Sequence, residues 1–289
     1  MNWLLGIGIG AGLLGLAILG LSRYGACRWK ARTRVLTRKL DAARTISSAA
    51  GSARFDAREL VGLPAPVQRY FLAVLKVDQP IITAATLELC GRINLSATAQ
   101  RWKPFISRQR VVTHRPGFVW DALVFMFPSV TASVVDSYVA GRGLLHAAVL
   151  GVFPVANMSG GGEIARGEFM RFFAEAAWYP SALLPSQGVQ WAAVDDSSAI
   201  ATLADGPITL TLLFKFSAAG LIDSFHAEAR GAGSGKDMVM LPWEGRWSNY
   251  QVREGILVPL TGEVAWVHPD GRRPYFHGTV TSLKYEWAQ

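Results

Sequence analysis

Residues 207–231, PITLTLLFKFSAAGLIDSFHAEARG, decide the fold class. Two runs of β-forming residues, 207–217 and 221–231, flank a short break at Ala218–Gly220. That pattern is a hairpin signal, and Phe214-Lys215-Phe216 shows the apolar–polar alternation of a strand with one buried face. The same texture extends outward in both directions. Strands are expected near 83–99, 105–114, 117–126, 131–140 and 143–150. A second set is expected near 189–195, 198–204, 238–252, 256–267 and 274–287, with Asp270-Gly271 as a tight turn. So many strands joined by short loops make an antiparallel meander, not a series of parallel crossover units.

One helical stretch interrupts the series. Residues 163–185, EIARGEFMRFFAEAAWYPSALLP, follow Gly160-Gly161-Gly162, and their helix is expected to stop before Pro180. Ile164, Phe169, Phe172, Phe173 and Ala176 define its apolar side. A second, short helix is expected from Pro64 or Pro66, with Val67, Tyr70, Phe71, Val74 and Leu75 as its stripe. A large antiparallel sheet needs cover on its apolar face, and these helices supply it. The expected architecture is mainly β (α+β). A large curved antiparallel sheet wraps around one or two helices and forms a single domain over 51–289.

The N-terminus reads differently. Residues 3–21, WLLGIGIGAGLLGLAILGL, are nineteen residues without a charge, about 28 Å of helix and close to a bilayer's hydrocarbon thickness. A cleaved signal peptide would carry a basic leader and a shorter apolar run. A lipoprotein anchor at Cys27 lacks the aliphatic residue expected upstream, and Arg23 interrupts the approach. The expectation is a transmembrane anchor over 1–22, preceding the β-rich domain, with a basic juxtamembrane helix over 23–50. Val35, Leu36, Leu40, Ala43 and Ile46 form the apolar face of that helix. The positive-inside rule then makes this a single-pass cell-membrane protein with its domain on the cytoplasmic side. The basic cluster either binds anionic headgroups or serves only as a stop-transfer flank.

Composition narrows the function. The 289-residue chain is 51% hydrophobic and 17% charged, with mean hydropathy +0.24, which excludes a disordered protein. Its net charge of +8 comes from 29 basic and 21 acidic residues. Arg23, Arg28, Lys30, Arg32, Arg34, Arg38 and Lys39 account for seven of the basic ones, leaving 22 against 21 elsewhere. The basicity therefore belongs to one short segment, and no nucleic-acid partner is implied. Cys27 and Cys90 are too few for a disulfide scaffold or a four-thiolate metal site.

Candidate chemistry centres on the helix. Arg171 and Glu175 are four residues apart, and Glu168 and Arg171 three apart, so they share a face. Glu175 is read either as a general base or ligand anchor, or as half of a structural ion pair. Asp121 and Asp136 lie within β-forming segments, where burial demands a partner such as Arg142, Arg166 or Arg171. Asp195-Asp196 is ordinary turn chemistry. The five histidines show no metal-binding spacing, and Gly231–Asp237 fails as a phosphate loop because Arg230 and Asp237 occupy diagnostic positions. Gly160–Gly162 reads as a hinge or turn. Ten tryptophans are many; they either line an apolar cavity or fill a solid core. The expected ligand-binding set is Arg171, Glu175, Trp120, Trp178, Trp243 and Trp266. Glu175 and Asp136 are the weak catalytic candidates, and no cofactor is implied.

LPAPVQRYF (63–71), RWKPF (101–105), FVWDA (118–122), DSYVAGRG (136–143), RFFAEAAWYPSALLP (171–185), PWEG (242–245) and GEVAWVHPDGRRPYF (262–276) occur together and in order. In these segments residues 60–287 resemble an uncharacterised bacterial family, a domain of unknown function often carried behind a membrane helix. The resemblance implies that Arg171, Glu175, Trp178, Pro180 and the PWEG segment belong to the family's motif core. It implies no activity, cofactor or catalytic residue. A β-meander around a helix also resembles the half-barrel of lipoprotein carriers and related lipid-binding proteins. Three functions remain open: a membrane-anchored binding domain for a lipid or other apolar ligand, an enzyme on a small or lipid-like substrate, and a structural scaffold of the membrane.

Overall fold

The structure is a computed structural model. It describes residues 2–46, 53–96, 98–128, 130–233 and 238–289, and within the first helix the side chains of 15 and 19–44 only. The described residues are mainly β, with thirteen antiparallel strands among them in one open sheet. Helix α1 (Asn2–Ile46) and helix α2 (Ala65–Val74) precede the first strand. Six strands follow: β1 (Ile82–Asn94), β2 (Trp102–Val112), β3 (Gly117–Phe127), β4 (Val130–Val139), β5 (Arg142–Val149) and β6 (Phe153–Gly160). Helix α3 (Gly162–Ala174) and three short 3₁₀ turns between Glu175 and Gln187 lead to the second set. That set is β7 (Gln190–Asp195), β8 (Ser198–Asp205), β9 (Ile208–Phe216), β10 (Ile222–Ala232), β11 (Val239–Arg253), β12 (Ile256–His268) and β13 (Gly271–Trp287).

The strand order is β6-β5-β4-β3-β2-β1-β13-β12-β11-β10-β9-β8-β7. The first and last strands meet in the middle, and each half of the chain is a meander running between the centre and one edge. The chain must therefore travel from edge strand β6 to edge strand β7, and α3 with its 3₁₀ turns is that crossing. Helix α3 touches β3–β6 on one wing and β9 and β10 on the other, so the sheet bends around it. Burial follows from this enclosure. Ala165, Gly167, Glu168, Phe169, Met170, Phe172, Phe173 and Ala174 are all buried, covering far more than one helix face. Phe169 stacks between Tyr138 of β4 and Phe172. Tyr179 donates to the Phe172 carbonyl at 2.6 Å, and Trp178 Nε1 donates to the Pro259 carbonyl of β12 at 2.8 Å.

The opposite, convex face of the sheet carries a smaller apolar cluster. Trp29 and Leu40 of α1 pack there against Ala84, Val112, Val119, Val135 and Ala148. Trp29, Thr33, Leu36, Leu40 and Ala43 turn toward the sheet at alternating four- and three-residue spacing, whereas Val35 is exposed. Gly25 permits the close approach of helix and sheet: a Cβ there would lie 2.0 Å from the Leu150 carbonyl oxygen. Farther along α1, Asp41 and Arg44 join Arg110 of β2 and Glu286 of β13 in a network of ion pairs.

Several expectations need correction. Strand β6 was not expected, because FPVANMSG alternates poorly and contains proline; an edge strand tolerates proline, since one row of its donors has no ladder partner. The helix from Gly162 ends at Ala174, and the rest of the crossing is 3₁₀. Val35 does not belong to the inner face of α1, and Trp29 does. Among the described residues no helix is long and apolar enough to cross a membrane. Most side chains of the expected 3–21 span, and residues 47–50 of the expected juxtamembrane helix, lie outside those described.

Because the crossing segment fills the concave side, its aromatic residues should dominate stability. Phe169→Ala should cost roughly 3–5 kcal/mol in denaturation of the full chain. Val35→Ala, on the outer face of α1, should stay within about 0.5 kcal/mol.

Candidate functional site

Strand register assembles the first wall. Gln109 of β2 faces Trp120 of β3, Trp120 faces Asp136 of β4, Asp136 faces Leu145 of β5, and Leu145 faces Met158 of β6. Five strands thus place Gln109, Trp120, Asp136, Leu145 and Met158 in one row. In the other wing, Trp243 of β11 faces both Ala227 of β10 and Trp266 of β12. Gly262 of β12 faces Trp247, whose ring fills the space a side chain would take: a Cβ on Gly262 would stand 2.6 Å from it. Helix α3 and the turn after it supply the third wall through Ile164, Gly167, Glu168, Arg171, Glu175 and Trp178, at helical spacing.

These walls enclose a mostly apolar cavity of about 280 Å³. Trp120, Trp178, Trp243, Trp266, Arg171 and Glu175, expected as a ligand-binding set, all line it, as does Asp136. Trp247, Phe276, Ile93 and Val264 complete much of its apolar surface.

Two arginines carry the polar chemistry. Arg171 donates from Nη1 to Asp136 Oδ2 at 2.6 Å and from Nε to Glu175 Oε1 at 2.7 Å. Gln109 Nε2 donates to the other Glu175 oxygen at 2.6 Å. The guanidinium also lies 5.0 Å from the Phe118 ring centroid and 4.8 Å from that of Trp120. Burial works against the charged guanidinium, but Glu175, Asp136 and Glu168 outweigh it, so its proton is held more tightly than usual. Both Glu175 oxygens are engaged, so the carboxylate positions Arg171 and has no acceptor atom free of these contacts.

Arg230 is the second arginine. Its guanidinium carbon lies over the rings of Trp243, 4.3 Å from the centroid, and Trp266, 5.7 Å from the centroid. Its Nη1 lies 3.4 Å from Tyr275 Oη and its Nη2 lies 3.9 Å from Glu168 Oε1, the latter beyond hydrogen-bond reach. Glu168 is itself held protonated well above the ordinary carboxylate range. Burial is the main cause, followed by the negative charge of Asp136, with a hydrogen bond to Asp136 also contributing, against the opposing pull of Arg230 and Arg171. Asp136 Oδ1 and Glu168 Oε2 have no donor among the described residues when both groups are treated as carboxylates. A proton held by Glu168 supplies a donor for its hydrogen bond to Asp136.

The remaining candidates fall elsewhere. Asp121 follows Trp120 and so faces the convex side, where it accepts from Trp29 Nε1 at 2.9 Å; it pairs with none of Arg142, Arg166 and Arg171. Arg166 instead donates to the Thr209 carbonyl at 3.0 Å. Asp195 caps the turn at Ser197, as turn chemistry dictates. Gly231 lies in β10, and Gly233, at φ +87°, turns out of the strand into a connection whose residues 234–237 lie outside those described. No cluster of metal-ligating side chains occurs among the described residues. Arg230, Gln109 and Tyr275 were not expected at the site. For Arg230 the reason is a β-bulge: register shifts between Ala227 and Arg230, turning inward a residue that strict alternation from Phe225 and Ala227 would turn outward.

The raised Glu168 pKa has a consequence of definite sign. A pKa raised by folding gives a contribution that is complete below the unfolded value, about pH 4.3, and is lost as pH climbs toward the folded value. Glu168→Gln keeps the neutral form at every pH. Its melting temperature relative to the parent should therefore rise between about pH 5 and pH 8. A difference that falls over this range would contradict a neutral buried Glu168.

Comparison with known proteins adds a family. No curated protein matches the chain. A LolA superfamily protein from Nitrosomonas europaea is similar at 12% identity and TM-score 0.34, over 78% of this chain and 94% of that one. A beta-barrel-like protein of the DUF1849 domain of unknown function, from Brucella abortus, is similar at 10% identity and TM-score 0.22, over 71% of this chain and 99% of that one. Residues 61–285 match the model of the family of unknown function DUF6920, and the chain belongs to that family.

Proposed function

We propose that residues 51–289 form a single binding domain for a lipid or other apolar ligand, tethered to the membrane by the apolar run at 3–21. The carrying observation is the cavity itself. It lies between α3 and both wings of the sheet, and five tryptophans and several aliphatic side chains line it. A solid core would have served a scaffold, whereas an apolar cavity with a few fixed polar groups is the usual form of a small-molecule site. Glu175 supports the binding reading over the enzyme reading, because both of its oxygens are engaged, by Arg171 and by Gln109.

The packing of α1 supports a tether close to the bilayer. Gly25, four residues beyond the apolar run, lies against the β5–β6 turn at Leu150. The β3–β4 and β5–β6 ends lie side by side, since Leu150 N donates to the Thr131 carbonyl at 2.9 Å. Phe127 and Phe153 are exposed at these ends. This corner of the sheet, in the proposed arrangement, rests on the bilayer beside the anchor, and the basic residues of α1 meet anionic headgroups.

Photolabelling tests the site. The full chain in phospholipid nanodiscs, irradiated with a diazirine-bearing hexadecanol, should be labelled on peptides containing Met158 and Ile93. Leu145→Trp should fill the cavity and abolish that labelling while labelling near exposed Phe127 persists. Equal labelling of Met158 and Ile93 in parent and variant would refute the cavity as the binding site.

A further inference from the structure

We infer that the cavity recognises an amphiphile bearing an oxyanion, with Arg230 receiving the anionic end and the apolar chain lying along the tryptophan-lined wall. This rests on the binding reading proposed above and names the chemistry of its ligand.

A guanidinium stays charged at every relevant pH, and a buried charge demands a counter-charge or a full set of acceptors. The Arg230 side chain is nine-tenths buried, and its Nε has no acceptor among the described residues. Its nearest carboxylate, Glu168, stands off at 3.9 Å, while Tyr275 Oη is already the acceptor of a 2.9 Å bond from Trp243 Nε1. The contrast with Arg171 is direct. That arginine has two carboxylates at 2.6 and 2.7 Å, and its charge is balanced inside the protein. The rings of Trp243 and Trp266 hold the Arg230 guanidinium in place without neutralising it.

The other unpartnered nitrogens agree. Trp120 Nε1 and Trp247 Nε1 are buried, line the same cavity and have no acceptor among the described residues. Together with Arg230 Nε they make three orphaned donors. The two orphaned oxygens of the cavity, on Asp136 and Glu168, belong to neighbouring acids that a hydrogen bond from a protonated Glu168 would join. The walls of the cavity therefore hold a cation and N–H donors that the fold leaves without acceptors, set in apolar surroundings. A carboxylate or a phosphate ester on a hydrocarbon chain supplies the matching acceptors, and a guanidinium binds either through paired N–H···O contacts.

The experiment compares two probes of equal chain length in nanodiscs holding the full chain: diazirine-bearing hexadecanoate and diazirine-bearing hexadecanol. Hexadecanoate should label the Met158 and Ile93 peptides at concentrations on the order of ten- to a hundredfold lower, the range expected for hydrogen bonds to a charged group. Arg230→Met and Arg230→Gln should each remove the preference, so that acid and alcohol label the same variant at equal concentrations. The melting temperature of each variant reports that it remains folded. Unlabelled hexadecanoate and hexadecyl phosphate, used as competitors, rank carboxylate against phosphate. Inorganic phosphate competing as well as hexadecyl phosphate would overturn the amphiphile in favour of a small anion. Equal labelling by acid and alcohol in the parent would overturn the role of Arg230 and leave the apolar site standing. No labelling by either probe would instead overturn the binding reading beneath it.

Discussion

The whole architecture depends on one topological demand: the chain has to pass from edge strand β6 to edge strand β7 of the same thirteen-stranded sheet. Each half is a meander, so a single segment, Gly160 to Gly188, makes that passage. It runs through the concave side, and the sheet bends until both wings touch it. A helix enclosed in this way cannot keep a polar face toward water. Glu168, Arg171 and Glu175 are drawn into the interior because Phe169, Phe172 and Phe173 on the same two turns must be buried. Their burial obliges the sheet to provide Gln109 and Asp136 opposite them.

The cavity is a second result of the same passage. Helix α3 fills the concave side incompletely, and the remaining space lies beside its charged residues. Arg171 is compensated within the protein and fixes α3 to β2 and β4. Arg230 is not compensated to the same degree, although it is equally excluded from water. Two buried arginines about the same helix thus differ in kind: one is held by the fold, and the other is held for something the fold does not contain. Removing Arg171 would strand two buried carboxylates, at a cost on the order of 3–5 kcal/mol. Removing Arg230 strands no hydrogen-bonded carboxylate, since Glu168 stands off at 3.9 Å.

Much of this could be read from the sequence, for physical reasons that also mark where reading stops. Alternation is a direct image of a half-buried strand, so β7 to β13 and β1 to β5 were legible near their observed positions. β6 was not, because an edge strand with Pro154 and Asn157 keeps neither the alternation nor the ladder that produces it. Trp120 and Asp136 are neighbours only through the β3–β4 register, and sequence distance does not show that Asp121 turns the opposite way onto Trp29. The Arg171–Glu175 pair was visible as an i, i+4 spacing on a helix. Arg230 was hidden by a bulge, the one local feature that reverses the inward and outward assignment of a strand. Trp29 was hidden because the inner face of α1 is set by its fit to the sheet, not by hydrophobicity alone.

The central claim is that the space between α3 and the sheet holds an apolar ligand. Native mass spectrometry of the full chain, released from a mild detergent and followed by lipid extraction, addresses it most directly. The account predicts a resolved adduct of one amphiphile per chain, whose extracted component carries a single acidic headgroup. A clean ligand-free mass, unchanged after incubation with hexadecanoate, would contradict it.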